Sequence, residues 1–391
     1  MSSVSRPKIV FQYLLLLIFV VGSSYLVSTN WVAPKEEIPE KQILTIQENM
    51  TISEFAATNQ LDEKIVGKTF DIKSKDEFSK KLSSFGLSDE QINTKVDKER
   101  AIEAEHESKD WKKILTKFVL WIGYTIFVFF LVKKANTTPN QRKLLYLFST
   151  ILFGVILGAD PSAMGTIKDA IVLFAEKGVI FPPRMIALTV FLLMVVFANK
   201  LFCGWGCQLG SLQDLIFRLN RSKKDRKGIF NQYKMPFVFS NGFRILFFVS
   251  FCIIAFGWSV DVFEFIDPFK IFKPAKIEFF GWIFLAGVLL SSLFVYRPWC
   301  SLFCPFGLVG WFFEKLAIFK IKVNYDTCIA CESCARACPS TAMESILKRE
   351  KTITDCFSCG TCLDTCPTGS ISYGNGKRDL PPEGKYNKKK K

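Results

Sequence analysis

Histidine is almost missing from this sequence: His106 is the only one in 391 residues. A haem held between two histidines is therefore excluded, and a self-contained cytochrome b with it. No Ser/Thr-Gly-Ala-Thr sequence occurs, so a covalently attached flavin has no visible anchor. Charge is absent over long stretches and concentrated in a few blocks, while 49% of the residues are apolar and 40 are Phe. That distribution argues for a membrane class rather than an ordinary soluble enzyme. The net charge is +15. Its basic residues cluster beside the apolar stretches, where they read as topology signals and contacts to anionic membrane lipid, not as a nucleic-acid surface.

A bilayer core takes about 20 apolar residues of helix. Six segments approach this: 9–29, 114–132, 143–159, 185–202, 236–258 and 277–297. Arg6 and Lys8 precede the run Ile9–Gly22 as in a signal peptide. Apolar character continues to Val27, which favours an uncleaved anchor over residues 1–29. With the N-terminus inside, the loop 133–143 carries Lys133, Lys134, Arg142 and Lys143 and no acid. The loop after the fourth span carries Arg218, Arg221, Lys223, Lys224, Arg226, Lys227 and Lys234. The opposite loops, 160–184 and 259–276, balance the two signs. Every short loop thus agrees on a cytoplasmic C-terminus. There the basic tail 376–391, ending in Lys388–Lys391, would meet anionic lipid.

Residues 30–110 fall outside by the same count and hold 18 acidic against 12 basic residues. Thr51-x-x-Glu54, Ser74-x-x-Glu77 and Ser88-x-x-Gln91 each read as a capping box opening a short helix. The segment is either a small helical module or a solvated spacer. Residues 111–320 then form the membrane domain.

Thirteen cysteines carry the chemistry. Cys328-x2-Cys331-x2-Cys334-x3-Cys338-Pro339 recurs 28 residues later as Cys356-x2-Cys359-x2-Cys362-x3-Cys366-Pro367, an internal duplication within residues 321–375. Three thiolates two residues apart wrap one face of an iron–sulfur cube, and the fourth, beyond a turn fixed by Pro, points to the other cube. Cys328, Cys331, Cys334 and Cys366 are expected on one [4Fe–4S] cluster, and Cys356, Cys359, Cys362 and Cys338 on the second. Zinc ribbons use two C-x2-C pairs rather than four-Cys runs ending in Pro. Disulfides are out of place on the reducing side of a membrane. Cubes with complete Cys ligation move single electrons and leave no iron open to substrate.

A second constellation lies in the membrane half. Cys203-x3-Cys207-x2-Gly210 and Cys300-x3-Cys304-x2-Gly307 are offset by 97 residues, each at the cytoplasmic end of a span. The membrane part therefore reads as two related hairpins in parallel repeat. On a helix, positions i and i+4 face one way, so each pair suits a redox couple, and all four thiolates suit a further metal. The same residues also suit packed structural thiols, because free Cys is among the most buried residue types. Cys252, alone in mid-span, reads as packing.

These features resemble the NapH/NosR-type membrane polyferredoxins, over roughly residues 143–370. That family joins several spans, two C-x3-C-P motifs at cytoplasmic helix ends and a double [4Fe–4S] domain. Here Gln208 stands where the family has Pro after the first pair, and no flavin domain is visible in the external segment. The resemblance implies electron transfer between the quinone pool or a cytoplasmic donor and a partner redox protein on either side of the membrane. The family also includes assembly factors for copper enzymes, so metal reduction for an exported enzyme is the alternative.

The expected protein is thus an α-helical integral membrane protein of about six spans in a bacterial inner membrane. It ends in a small α+β two-cluster ferredoxin domain, binds no nucleic acid, and has no self-contained substrate site, so it is at most a quinol dehydrogenase subunit. Asp160, Asp169, Glu264 and Asp267 fall at the outer span ends, where such acids are either wet interfacial groups or proton relays for a quinol. Arg184 and Arg297 read as span anchors. Trp205, Trp299 and Trp311 read as an interfacial belt on which a quinone ring could also stack.

Overall fold

The computed structural model describes residues 6–31, 44–47, 49–72, 74–135, 137–222, 225, 228–348, 350 and 352–386. The Lys388–Lys391 tail and loop residues Lys223, Lys224, Arg226 and Lys227 lie outside the described residues.

The first helix, α1 (Arg6–Trp31), is apolar nearly all round, yet Ile9, Tyr13, Leu16, Val20 and Ser24 are buried. Their spacing of three and four residues makes one stripe, which packs on the π-helical stretch and the 268–276 turns described below. Between α1 and the next long helix, α2 (Ile52–Thr58), α3 (Glu63–Thr69) and α4 (Asp89–Glu107) close around Ile52, Phe55, Val66, Phe70 and Val96. Thr51 and Ser88 form complete capping boxes with Glu54 and Gln91. Ser74 instead caps a single 3-10 turn through the Asp76 N–H.

Helix α5 (Trp111–Lys133) is followed by α6 (Pro139–Ser149), which opens on a third capping box, Thr138 with Gln141. It continues as a π-helical stretch, Thr150–Ile156. The widened turn carries Gly154 beneath the Phe272 ring, where any Cβ would overlap the ring. Then come α7 (Ala163–Lys177) and α8 (Pro182–Ala198). Helix α8 stops at Asn199, whose φ is +57° and whose Oδ1 accepts from the Lys200 N–H at 2.8 Å. The chain turns there into α9 (Leu201–Trp205) and α10 (Gln208–Leu219). The second half runs α11 (Phe237–Trp258), α12 (Val262–Ile266), α13 (Phe279–Ser291), α14 (Pro298–Leu302) and α15 (Pro305–Glu314). Its break falls at Arg297, with φ +48°. That position is 97 residues after Lys200, the offset of the cysteine pairs.

Among the described residues three helices, α1, α5 and α11, are long and apolar enough to cross a membrane. The apolar α8 and α13 are shorter, at 17 and 13 residues. The remaining expected span, 143–159, is the α6 and π-helical rod, which carries the buried polar residues Ser149 and Thr150.

Strand β1 (Phe319–Val323) pairs antiparallel with β2 (Ile371–Asn375), with Phe319 opposite Asn375 and Val323 opposite Ile371. Between them lie α16 (Ser333–Ala337), α17 (Ala342–Lys348) and α18 (Thr361–Thr365). The sheet docks on helix ends. Phe129 of α5 packs on Phe319 and Tyr373, and the Tyr373 hydroxyl donates to the Ala198 carbonyl at 2.6 Å.

The two membrane halves are joined by buried charge. Asp214 of α10 accepts from Arg218 at 2.6 Å, from Arg297 at 2.7 Å and from the Tyr296 hydroxyl at 2.7 Å, with no exposed surface of its own. Removing one partner of a buried pair leaves an uncompensated charge and costs about 3–5 kcal/mol. Asp214→Asn is therefore expected to lower the thermal unfolding midpoint of the detergent-solubilised protein by several degrees. An unchanged midpoint would contradict the role given to this carboxylate.

Candidate metal centres

The two cysteine runs repeat their backbone as well as their spacing. Ala330 and Glu332 in the first run have φ of +53° and +54°, and Ser358 and Gly360 in the second have +48° and +77°. These positions are equivalent under the offset of 28. Left-handed residues interleaved with right-handed ones turn successive N–H groups inward, a concavity suited to an anion such as a sulfide-rich cluster. The third Cys of each run then opens a short helix, Cys334 on α16 and Cys362 on α18.

Each run surrounds a cavity. One is lined by Cys328, Cys331 and Cys334 together with Cys366 from the second run. The other is lined by Cys356, Cys359 and Cys362 together with Cys338 from the first. The eight sequence-predicted thiols are thus brought together in two crosswise groups of four. Among the described residues no three metal-ligating side chains converge tightly enough for a single ion. In a cube every thiolate meets its own iron, so its ligands stand apart, and this donor set fits the cluster. Burial pushes the Cys334 thiol up to about 12, while the Ser333 N–H draws Cys331 down. A buried thiol of that kind becomes a ligand when iron takes its proton's place. When bound, such a cluster supplies one-electron redox chemistry.

The two cavities differ in their surroundings. Cys328 Sγ and the Tyr386 hydroxyl lie 3.1 Å apart at the first, on the outer side of the domain. The second faces the membrane half. The Trp205 indole N–H donates to the Ser358 carbonyl at 3.1 Å, and Gly204 packs so closely on the Phe357 carbonyl that a Cβ would collide with it. Glu314 of α15 accepts from the Cys356 N–H at 3.2 Å, and burial raises its carboxyl to about 7. Asp355, beside Cys356, takes ion pairs from both Lys200 and Arg244.

The membrane cysteines are not i and i+4 neighbours on one continuous helix, as the sequence suggested. Cys203 lies on α9 and Cys207 is the N-cap of α10. Likewise Cys300 lies on α14 and Cys304 is the N-cap of α15. The helix breaks between them because the following glycine must pack on the first cysteine's carbonyl. A Cβ on Gly210 would stand 2.8 Å from the Cys203 oxygen, and one on Gly307 2.5 Å from the Cys300 oxygen. The two turns face each other, so that Cys203, Cys207, Cys300 and Cys304 lie within electrostatic reach of one another. Cys304 Sγ also accepts from the Gly307 N–H at 3.4 Å.

Three buried cations brace these turns, Arg297 and Lys200 across the repeat and Arg244 from within the second half. Arg297 donates to the Cys203 and Gly204 carbonyls, Arg244 to the Cys300 carbonyl at 3.2 Å, and Lys200 to the Gly307 carbonyl at 3.0 Å. Arg297 is therefore not the span anchor expected of it, and Lys200 and Arg244 were missed. The signal was present, since Lys200 and Arg297 are cations at the 97-residue offset beside each pair. Trp205 and Trp299 do not form an interfacial belt either. Both are buried, Trp205 against Tyr146 and Ser358 and Trp299 among Phe263, Phe284 and Phe303. Arg184 is held by Glu105 at 2.6 Å, and Asp160 pairs with Lys273.

Residues 180–227 and 277–324 match the family described as a 4Fe-4S binding domain, and residues 320–367 match a 4Fe-4S dicluster domain. The first two matches contain the two C-x3-C turns. The electron transport protein YccM of Escherichia coli is 29% identical over 177 residues, 43% of this chain and 49% of that protein. The ferredoxin-type protein NapH of Haemophilus influenzae is 29% identical over 207 residues, 51% of this chain and 64% of that protein. The regulatory protein NosR of Pseudomonas aeruginosa is 23% identical over 159 residues, 38% of this chain and 21% of that protein. This chain thus covers less than two thirds of each of these three. No solved structure matches it.

A hydrogen bond to a ligand sulfur favours the reduced cluster. Tyr386→Phe is expected to lower the potential of the cluster nearer Cys328 by roughly 40 mV, the one-electron equivalent of about 1 kcal/mol. An EPR-monitored redox titration reads this directly, and the other cluster's midpoint should stay where it is.

Proposed function

We propose that this chain, a member of the NapH/NosR-type family of iron–sulfur polyferredoxins, conducts electrons one at a time between a membrane-side redox partner and a protein at its ferredoxin end. The observation that carries the reading is contiguity. Arg297 binds the Cys203 and Gly204 carbonyls of the first membrane cysteine turn, and Gly204 packs on the carbonyl of Phe357 in the wall of the second four-Cys cavity, which shares its cysteine runs with the first. In this reading Cys338, Cys356, Cys359 and Cys362 hold the [4Fe–4S] cluster nearer the membrane half. Cys328, Cys331, Cys334 and Cys366 hold the outer one. Cys203, Cys207, Cys300 and Cys304 form a third centre, supported by the cations around them, since thiolate-bound metal carries negative charge that a buried site must balance.

The proposed topology keeps six spans, with the π-widened rod and the shorter α8 and α13 completing the bundle. Residues 44–110 lie outside and the ferredoxin domain in the cytoplasm. Packing of Ile9, Tyr13, Leu16 and Val20 into the core supports α1 as a retained anchor. So does Arg6, which lies over the Phe230 ring in the loop assigned to the cytoplasm.

A second reading, metal reduction for an exported enzyme, draws on the same four membrane thiols. Iron and acid-labile sulfide are to be counted on protein purified without oxygen, with EPR of the reduced state. About eight irons correspond to two cubes, and a clear excess that disappears in the Cys203→Ser, Cys304→Ser double variant identifies the third centre as iron–sulfur. Copper retained in place of that excess favours the second reading, and protein without iron defeats the electron-transfer proposal.

A further inference from the structure

A groove runs between the loop that follows α10 and the first cysteine run. Three cations line it, Arg221, Lys234 and Arg336, together with Asn231, Gln232 and Tyr233. Among the described residues no acid lines it. The wall from 228 to 234 is fixed by its own bonds. Asn220 Oδ1 accepts from the Ile229 and Phe230 N–H groups at 3.1 and 2.7 Å. Gln232 donates to the Phe217 carbonyl at 3.1 Å, and the Tyr233 N–H to the Phe294 carbonyl at 2.9 Å. Gly228 is required in the turn, where a Cβ would stand 2.5 Å from the Phe230 oxygen.

The three cations are held by carbonyls of the first cysteine run. Lys234 Nζ donates to the Ala335 carbonyl at 2.6 Å, Arg336 to the Cys331 carbonyl at 2.8 Å and Arg221 to the Ala337 carbonyl at 2.9 Å. A carbonyl fixes a cation in place without cancelling its charge. Asp225 lies 3.4 Å from Arg221, but it also takes ion pairs from Arg142 and Arg218. Among the described residues neither Lys234 nor Arg336 forms an ion pair; their bonds go to carbonyls and to Ser333. The groove therefore carries positive charge that the protein's own carboxylates leave unbalanced.

Two of the long apolar helices begin at this groove. Arg6, the first residue of α1, lies over the ring of Phe230 in the groove wall, and α11 begins at Phe237, just beyond Lys234. Next to those starts, Val10, Phe11, Val238 and Phe239 expose apolar side chains. From this geometry we infer that the groove binds the phosphate of an anionic phospholipid, whose acyl chains lie along α1 and α11. Phosphate oxygens suit an ammonium and two guanidinium groups. A zwitterionic head group brings an ammonium of its own, which the three cations repel. Free inorganic phosphate shares the recognised chemistry but makes no use of the apolar faces, and neither does a soluble acidic protein. Cys338 lines the same groove, with Arg221 and Lys234 in electrostatic reach of it. A bound phosphate thus places negative charge beside a ligand of the cluster nearer the membrane half and disfavours its reduction. That consequence rests on the electron-transfer reading above. Binding itself does not depend on it.

The test is native mass spectrometry of the detergent-solubilised full chain, titrated with dioleoyl phosphatidylglycerol, dioleoyl phosphatidylcholine or inorganic phosphate. Phosphatidylglycerol should be retained in preference to the other two. The Lys234→Gln, Arg336→Gln double variant should weaken that retention by about tenfold or more. From the opposite wall, the nearly isosteric Asn231→Asp should weaken it too, with iron content and elution profile as the check on folding. In nanodiscs, replacing phosphatidylcholine by phosphatidylglycerol should lower the EPR-monitored midpoint of the cluster nearer the membrane half. The double variant should show a smaller shift, and a midpoint indifferent to bound lipid removes the link to Cys338. Equal retention of both lipids, or retention indifferent to both variants, overturns the inference. So does inorganic phosphate that binds as tightly as the lipid, or a poly-glutamate peptide that binds more tightly, the mark of an acidic protein site. Because retention needs no cluster, iron-free protein that keeps the preference would sink the electron-transfer reading and leave this site standing. Iron-replete protein without the preference would do the reverse.

Discussion

The arrangement depends on burying cations where a membrane protein can least tolerate them unpaired. Lys200 and Arg297 occupy equivalent positions in the two halves, and each reaches across to a carbonyl of the other half's cysteine turn. Neither has water to solvate it, so each must find anions and carbonyl oxygens in the protein. Arg297 finds Asp214, and Lys200 finds Asp355 and Glu314. The exchange locks the halves together, and because Asp355 adjoins Cys356 it also fixes the ferredoxin domain on the membrane half. Fold and candidate redox path are held by the same few bonds.

This bracing explains the local geometry of the C-x3-C-x2-G turns. The helix before each turn ends so that its carbonyls are free to accept from a buried arginine, and the next helix restarts with cysteine as its N-cap. Glycine at the third position lets that helix approach the first cysteine's carbonyl. A continuous helix would have used those carbonyls internally and taken them from Arg297 and Arg244. Burial of the Trp205 and Trp299 rings beside the turns excludes water, which keeps those charge interactions strong.

The pattern of thiols was legible before the fold. The crosswise grouping of Cys338 with the second run and Cys366 with the first follows from spacing, and the two cavities are lined in that pattern. The long helices Arg6–Trp31, Trp111–Lys133 and Phe237–Trp258 lie where hydropathy puts them. Capping boxes at Thr51 and Ser88 were readable because they close within four residues. Arg297, Trp205 and Trp299 were misread for a shared reason. Each stands at the edge of an apolar run, where composition suggests an interface, and only packing of segments distant in the chain puts that edge inside the protein.

Local chemistry is what the sequence determined by itself: which thiols form runs, which segments are apolar, where a helix can be capped. These depend on neighbours a few residues away, whose distances covalent geometry sets. Tertiary structure decided everything that depends on two distant segments meeting. It closed the helix breaks around Arg297 and Lys200, brought Gln208 against Ala159, and gathered Arg221, Lys234 and Arg336 around one groove. Such contacts depend on how segments distant in the chain pack against one another, and no spacing along a single chain encodes that.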